Sequence, residues 1–347
     1  MAIQTAFVTG ATGFIGSHLV DRLVDRGCEV RCLVRPGATP ATPRKGVSLV
    51  TGTLDAPASY REALAGCDAV FHLGGLVAAP RKEDLFRVNG TGTQLLADAC
   101  GSLPSPPRLV FMSSLAAAGP PPKGHSLRDE NDGPACISQY GASKRAGEVA
   151  LQKLADRLPI TILRPGIVYG PRDPKMAAMF EAIRMTGIHF TIGFRTPPLS
   201  LIHVADMVDL TLAAAERGEI LDHDASGAYS PAGYYLACDD REHPTYWQFG
   251  KLIGRALGRR VVVWPLWRWV GRIVGLVAET FFTPDGGKGN VLSLDKVREA
   301  TVRSWACSSS KARTQLGFAP PLPLEARLHE MAEWLQETRM RKADLAR

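Results

Sequence analysis

Short apolar runs alternate with longer stretches of helical spacing through the first half of the chain. The runs are AFVT (6–9), EVRCLV (29–34), VSLV (47–50), AVFHL (69–73), RLVFMSS (108–114) and ITILRP (160–165), and they are rich in β-branched residues. Strand-like runs separated by helix-like segments are the rhythm of βαβ units, so the pattern predicts an α/β fold with a doubly wound parallel sheet. Proline-rich stretches such as SLPSPPR and GPPPKG fall between these elements and read as loops.

The second half reads differently. Irregular connections occur at 170–175, 195–199, 222–234 and 283–290, helices outnumber strands, and all six tryptophans lie after residue 246. The pattern divides the chain near Gly170 into a sheet domain, 1–170, and a smaller, mostly helical lobe within 171–347. LSLIHVADMVDLTLAAAE predicts a return to the sheet within about 198–237, which makes the lobe discontinuous. Substrate choice is expected to come from 171–200 and 229–305. In WPLWRWVGRIVGLVAETFF, Arg268, Arg272, Gly275 and Glu279 share one helical stripe, and apolar residues cover the rest. Three readings of 265–282 stay open: a core helix, a lid over an apolar substrate, and an interfacial helix touching a membrane.

Composition narrows the classes. A chain of 347 residues with 45% hydrophobic and 22% charged residues suits a soluble globular protein of two lobes. The net charge of +7 is spread over pairs such as Arg44-Lys45, Arg81-Lys82 and Arg259-Arg260, so it favours an anionic ligand at least as much as nucleic acid. Seven cysteines without CxxC spacing predict a reduced, cytoplasmic protein with no disulfide framework and no metal site. No signal peptide and no spanning segment are expected.

The chemistry starts in FVTGATGFIGSHLVDRL, a strand, a glycine loop and a helix. Gly10, Gly13 and Gly16 have the spacing of a dinucleotide-binding loop. Gly10 allows the tight turn, Gly13 allows close approach of a pyrophosphate, and Gly16 allows the helix to pack on the sheet. Thr12, Phe14 and Ile15 complete the loop, whose helix N-terminus offers N–H groups to phosphate. The second strand ends in Val34-Arg35 and carries no acid at its tip. An arginine there suits a 2′-phosphate, so NADP is expected, with NAD as the alternative. Leu54 falls where a side chain can touch adenine. Leu73, Gly74 and Gly75 end the fourth strand beside the cofactor, while His72 reads as a packed strand residue.

The fifth strand ends in Ser113-Ser114. Tyr140 and Lys144 follow, four apart on one helical face in SQYGASKRAGE. Carbonyl reduction needs a hydride, a proton and a donor that fixes the carbonyl oxygen. Tyr140 can supply the proton, and Ser114 can bind the oxygen. Lys144 can lower the phenol's pKa from about 10 and hold the nicotinamide ribose.

The motifs TGATGFIG, HLGG, VNGTGT, FMSS, YGASK, LRPGIVYGP and LIHVADM run in order over residues 5–210, with LIGRALGR and WACSSSKARTQLGF weaker beyond. As a set they resemble an extended short-chain dehydrogenase/reductase of the NAD(P)-dependent epimerase/dehydratase family. The resemblance implies a Rossmann domain and a catalytic Ser114, Tyr140 and Lys144. It also implies Pro165, Gly166 and Val168 beside the nicotinamide, a largely structural Asn89, and structural roles for His203 and Asp206. HLGG departs from the alanines more usual after that leucine. SLAAAG lacks the acidic pair of the dehydratases, and Arg35 and Ala118 depart from the nucleotide-sugar epimerases. VRCLVRP is similar to dihydroflavonol-reductase-like and 3β-hydroxysteroid-dehydrogenase-like members, which act on bulky, apolar alcohols and ketones. An NADP(H)-dependent oxidoreductase is therefore expected. The alternative is a nucleotide-sugar 4-epimerase with tightly bound NAD, its diphosphate met by Arg172, Arg195 or Arg255. By resemblance, helices 84–100 and 138–157 imply a homodimer.

Overall fold

A computed structural model describes residues 2–38, 44–223, 229–267 and 298–345. Its strands are β1 (Thr5–Thr9), β2 (Glu29–Val34), β3 (Val47–Thr51), β4 (Ala69–His72), β5 (Arg108–Met112), β6 (Ile160–Pro165), β7 (Ile167–Tyr169), β8 (Ile188–Ile192), β9 (Leu201–His203), β10 (Tyr234–Ala237) and β11 (Val262–Leu266). Its helices are α1 (Phe14–Asp25), α2 (Arg61–Leu64), α3 (Lys82–Phe86), α4 (Gly92–Gly101), α5 (Leu115–Ala118), α6 (Gln139–Gln152), α7 (Pro174–Thr186), α8 (Val204–Arg217), α9 (Tyr246–Ala256), α10 (Ser310–Leu316) and α11 (Leu324–Leu345). Each strand expected in the first half is present.

Seven strands form one sheet in the order β10-β6-β5-β4-β1-β2-β3, with every neighbouring pair parallel. Successive side chains along a strand point to opposite faces, and here both faces are covered. Val8 and Phe71 feed a core with Leu19 and Leu23 of α1 and Met207 and Leu212 of α8. Phe7 and Val70 feed the opposite core with Leu96 of α4 and Leu151 of α6. The strand order reverses between β1 and β4, and a crevice opens at such a point, at the carboxyl ends of the strands.

The chain rejoins the large sheet at the end of 198–237, after LSLIHVADM and not within it. β9 pairs with β7 in a separate two-stranded sheet, because His203 caps α8 and ends the strand after three residues. The seventh strand of the large sheet is instead β10, parallel to β6. Beyond Tyr169 a third core gathers Phe180 of α7, Phe249 and Ile253 of α9, and Leu328 and Met331 of α11. Residues 268–282 of the apolar stretch and the connection 283–290 lie outside the described residues. No helix among the described residues is long and apolar enough to cross a membrane. Among the same residues, no three His, Cys, Asp or Glu side chains are grouped to hold a metal ion.

Candidate active site

The crevice is lined first by the glycine loop. Gly10 sits at φ 72°, and a Cβ there would come within 2.7 Å of the Gly74 nitrogen, so the β1 and β4 ends meet backbone to backbone. A Cβ on Gly16 would lie 2.1 Å from the Gly10 oxygen, which is why the first turn of α1 can pack onto the loop. No side chain caps the N-terminus of α1, so its first N–H groups face the crevice without an internal acceptor. Thr12 and Gly13 are exposed in the loop, and Phe14 and Ile15 are half-buried behind it. Arg35 is exposed at the tip of β2 and has no ion-pair partner among the described residues. The uncapped helix and the available guanidinium fit a phosphorylated dinucleotide. Leu54 packs on Gly92 at the start of α4.

Three turns of α6 build the polar side of the crevice. Ser138 caps the helix through the Gly141 nitrogen, 3.1 Å away, and so fixes where Tyr140 begins. The Tyr140 hydroxyl is hydrogen-bonded to Ser114. Ser114 is itself held at the start of α5, where its Oγ accepts from the Ala116 nitrogen at 3.2 Å. Lys144 is buried one turn on, with Nζ 4.4 Å from the centre of the Phe111 ring. A Cβ on Gly75 would come 3.4 Å from that Nζ and 2.8 Å from Asn89 Oδ1, so lysine, asparagine and loop share one corner.

The electrostatics sharpen the expected roles. Burial pushes the Tyr140 phenol up to about 12; the Ser114 hydrogen bond pulls against it and the Glu299 carboxylate adds to it. The sequence led us to expect a phenol lowered by Lys144. Here the ammonium rests against Phe111, and desolvation dominates the phenol. Burial likewise brings Lys144 down to about 8, opposed by Glu148. His72 is a packed strand residue. Burial, with Lys144 nearby, drops its pKa to about 3, so it is neutral, and it links Thr9 Oγ1 at 2.7 Å to Thr93 Oγ1 at 2.9 Å. Thr93 donates to the Asn89 carbonyl and Thr9 accepts from the Gly74 nitrogen, which assigns the His72 proton to Nε2.

Asn89 is fully buried and works as a clamp. It accepts from the Leu76 nitrogen, and its Nδ2 donates to the Leu76 carbonyl and to Ser143 Oγ, tying the β4 loop to α6. Glu148 has a comparable place. The fully buried carboxylate accepts from Ser113 Oγ at 2.6 Å, from Arg164 at 2.9 and 2.7 Å, and from Arg145 at 3.0 Å. Burial pushes its carboxyl up, but Arg164 and Arg145 outweigh that and hold it below the usual range. One carboxylate thus joins α6 to the strand end carrying Ser114 and to the β6 end carrying Pro165. The signal was present as the i, i+4 ladder Tyr140, Lys144, Glu148. Glu299 reaches the site from the far end of the chain, its carbonyl held by Trp305 Nε1 at 2.7 Å, and no local motif marks it.

The remaining expected residues lie along one side. Gly166 donates to the Ala237 carbonyl at 3.0 Å, and Val168 pairs with Ile202 across β7 and β9. His203 caps α8 and Asp206 is ion-paired with Arg327, so both are structural. Arg172 pairs with Asp21 at 2.7 Å and Arg255 with Glu325 at 3.9 Å, so two of the three arginines weighed for a diphosphate face other partners.

The chain is 34% identical to a ceramide reductase of Caulobacter vibrioides over 200 residues, 57% of each chain. It is 32% identical to a 4-hydroxy-2-methyl-3-oxo-4-farnesyl-3,4-dihydroquinoline-1-oxide ketoreductase of Stigmatella aurantiaca, over 61% of this chain and 64% of that one. It thus spans about three fifths of the length of these curated relatives. Among solved structures, UDP-glucose 4-epimerase of Thermotoga maritima superposes with a TM-score of 0.74 at 22% identity, over 97% of this chain and 100% of that one, a likeness of fold. The profile of one family matches residues 6–225: the chain belongs to the NAD dependent epimerase/dehydratase family.

Proposed function

We propose that this chain is an NADP(H)-dependent oxidoreductase that interconverts a secondary alcohol and a ketone, with a bulky, apolar substrate. The observation that carries the reading is the Ser114–Tyr140 hydrogen bond, one helical turn from the buried Lys144. Gly10, Thr12, Gly13, Phe14, Ile15 and Gly16 would hold the pyrophosphate, and Arg35 the 2′-phosphate. Leu54 would touch adenine, while Leu73 to Gly75 and Pro165, Gly166 and Val168 would flank the nicotinamide. The bound nicotinamide supplies or accepts the hydride.

The chain's own residues handle the proton. Ser114 donates to the carbonyl oxygen of the substrate. Tyr140 stays protonated at neutral pH, as a phenol pushed up to about 12 must, and delivers its proton to the developing alkoxide. Lys144, buried one turn along α6, would hold the nicotinamide ribose. The apolar substrate class is supported by the relatives, whose names specify a ceramide and a farnesylated quinoline. A cytoplasmic homodimer belongs to the same proposal and is read out by sedimentation and cell fractionation.

The test is NADPH oxidation against a panel of lipophilic ketones. Turnover that Tyr140→Phe abolishes supports the reading; a variant that keeps most of its activity rejects it. Purification with tightly bound NAD, and turnover of nucleotide sugars without net redox change, would select the epimerase instead.

A further inference from the structure

The parallel pair β8–β11 breaks the usual polarity of a surface sheet. Its inward side is packed: His189 lies 4.6 Å ring to ring from Tyr246 of α9, and a Cβ on Gly250 would collide with the imidazole at 2.2 Å. A two-stranded sheet backed by a helix should turn polar side chains outward. Here the register places Ile188 beside Val262, Phe190 beside Trp264 and Ile192 beside Leu266, so every outward position is apolar. Phe190 is 54% exposed, Trp264 57% and Val262 60%. At the end of the strands Phe194 and Trp267 add a T-shaped pair, 5.5 Å between centroids, 62% and 61% exposed.

The rim is basic. Arg259 and Arg260 precede β11 and Arg195 follows β8; all three are exposed, and none is ion-paired among the described residues. No Asp or Glu occurs in 184–196 or 258–267. We propose that this face docks on an anionic lipid bilayer, with Phe190, Trp264, Phe194 and Trp267 entering the headgroup boundary and Arg195, Arg259 and Arg260 meeting lipid phosphates. Trp and Phe beside Arg is the composition suited to that boundary, where one end of the side chain is apolar and the other wet. A symmetric pairing with a second copy fits worse. It would bring the same three arginines of both chains together, with no carboxylate in either segment to neutralise them. The proposal concerns a surface, so it stands or falls independently of the catalytic reading.

The experiment is flotation of the full-length protein with phosphatidylcholine vesicles, with and without phosphatidylglycerol, at low and high salt. The protein floats with the anionic vesicles and is released by salt. Arg259→Gln with Arg260→Gln lowers the partition coefficient roughly twenty-five-fold, the product of about five-fold per arginine. Phe190→Ser with Trp264→Ser lowers it roughly ten-fold or more while the circular dichroism melt is retained. Should that variant fail to fold, a blue shift of tryptophan fluorescence in the wild-type chain on adding anionic vesicles supports the proposal, and an unchanged spectrum overturns it. It is also overturned if the wild-type chain does not float with anionic vesicles, or if the folded Phe190→Ser/Trp264→Ser variant floats as well as wild type. Self-association in sedimentation that this variant abolishes, with vesicle binding unchanged, would assign the face to a second copy and reject the bilayer.

Discussion

Helix α6 and the β8–β11 pair invert the rule of apolar inside and polar outside in opposite ways. Helix α6 buries Lys144 and Glu148, whereas β8–β11 turns Phe190 and Trp264 toward solvent. Neither inversion helps the fold as such. Burying two charges is costly unless each finds partners, and Glu148 finds three while Lys144 has an aromatic face and a carboxylate one turn away. An outward Trp and Phe leave more than half of their surface in water. Where a sequence departs from what its local structure prefers, a site or a surface is the first explanation to test.

The sharpest break of that comparison is at Tyr140. Tyr140→Phe leaves the shape of α6 in place and removes one proton donor, so kcat falls by about 10³-fold with little change in melting temperature. Activity and a thermal melt on the same sample check both halves.

Glu148→Ala comes next, because it leaves Arg164 and much of Arg145 buried without their carboxylate. The expected loss is about 3–5 kcal/mol in denaturant unfolding. Phe249→Ala, in the core beneath β8, costs a similar ~3–5 kcal/mol by opening a cavity, whereas Trp264→Ser on the outer side of β11 stays within about 0.5 kcal/mol of wild type. If Trp264→Ser proves as damaging as Phe249→Ala, the face is part of the fold and the contrast fails.

The next effect is on pH. The Lys144 ammonium loses its proton as pH rises through about 8, well before an ordinary lysine, while Tyr140 keeps its proton up to about 12. Reduction that needs both groups protonated is therefore level at lower pH and declines above about 8. Glu148→Gln removes the charge that opposes deprotonation, so the declining limb moves to lower pH. A limb that stays put would make Glu148 a purely structural residue.

The smallest expected change is at Arg35. Replacing it with alanine raises the dissociation constant for NADPH by roughly ten-fold and leaves that for NADH nearly unchanged, since one charge-assisted contact is worth ~1.5–3 kcal/mol at most. Equal effects on both would show that the guanidinium stacks rather than reads the phosphate.

The two regions were also unequally legible. β1, the glycine loop and α1 are contiguous, so the period and spacing of FVTGATGFIG were enough to place them. Tyr140 and Lys144 could be paired because helix geometry fixes i and i+4. The i+8 residue, Glu148, continues that ladder, yet its partners Ser113, Arg164 and Arg145 come from three elements. The return to the sheet within 198–237 shows the same limit: LSLIHVADM has a strand-like run, but the cap at His203 ends it early and β10 takes the sheet edge.

By itself the sequence determined the βαβ order, the dinucleotide loop, the absence of an acid at Arg35 and the tyrosine–lysine pair, because each depends on short-range geometry. Only the tertiary structure decided that Ser114 meets Tyr140, that Lys144 rests on Phe111 rather than lowering the phenol, that Glu299 arrives from a distant segment, and that Phe190 and Trp264 share one outward face. These contacts join residues far apart in the chain, and burial, which sets their charge states, belongs to the assembled packing and not to any one segment.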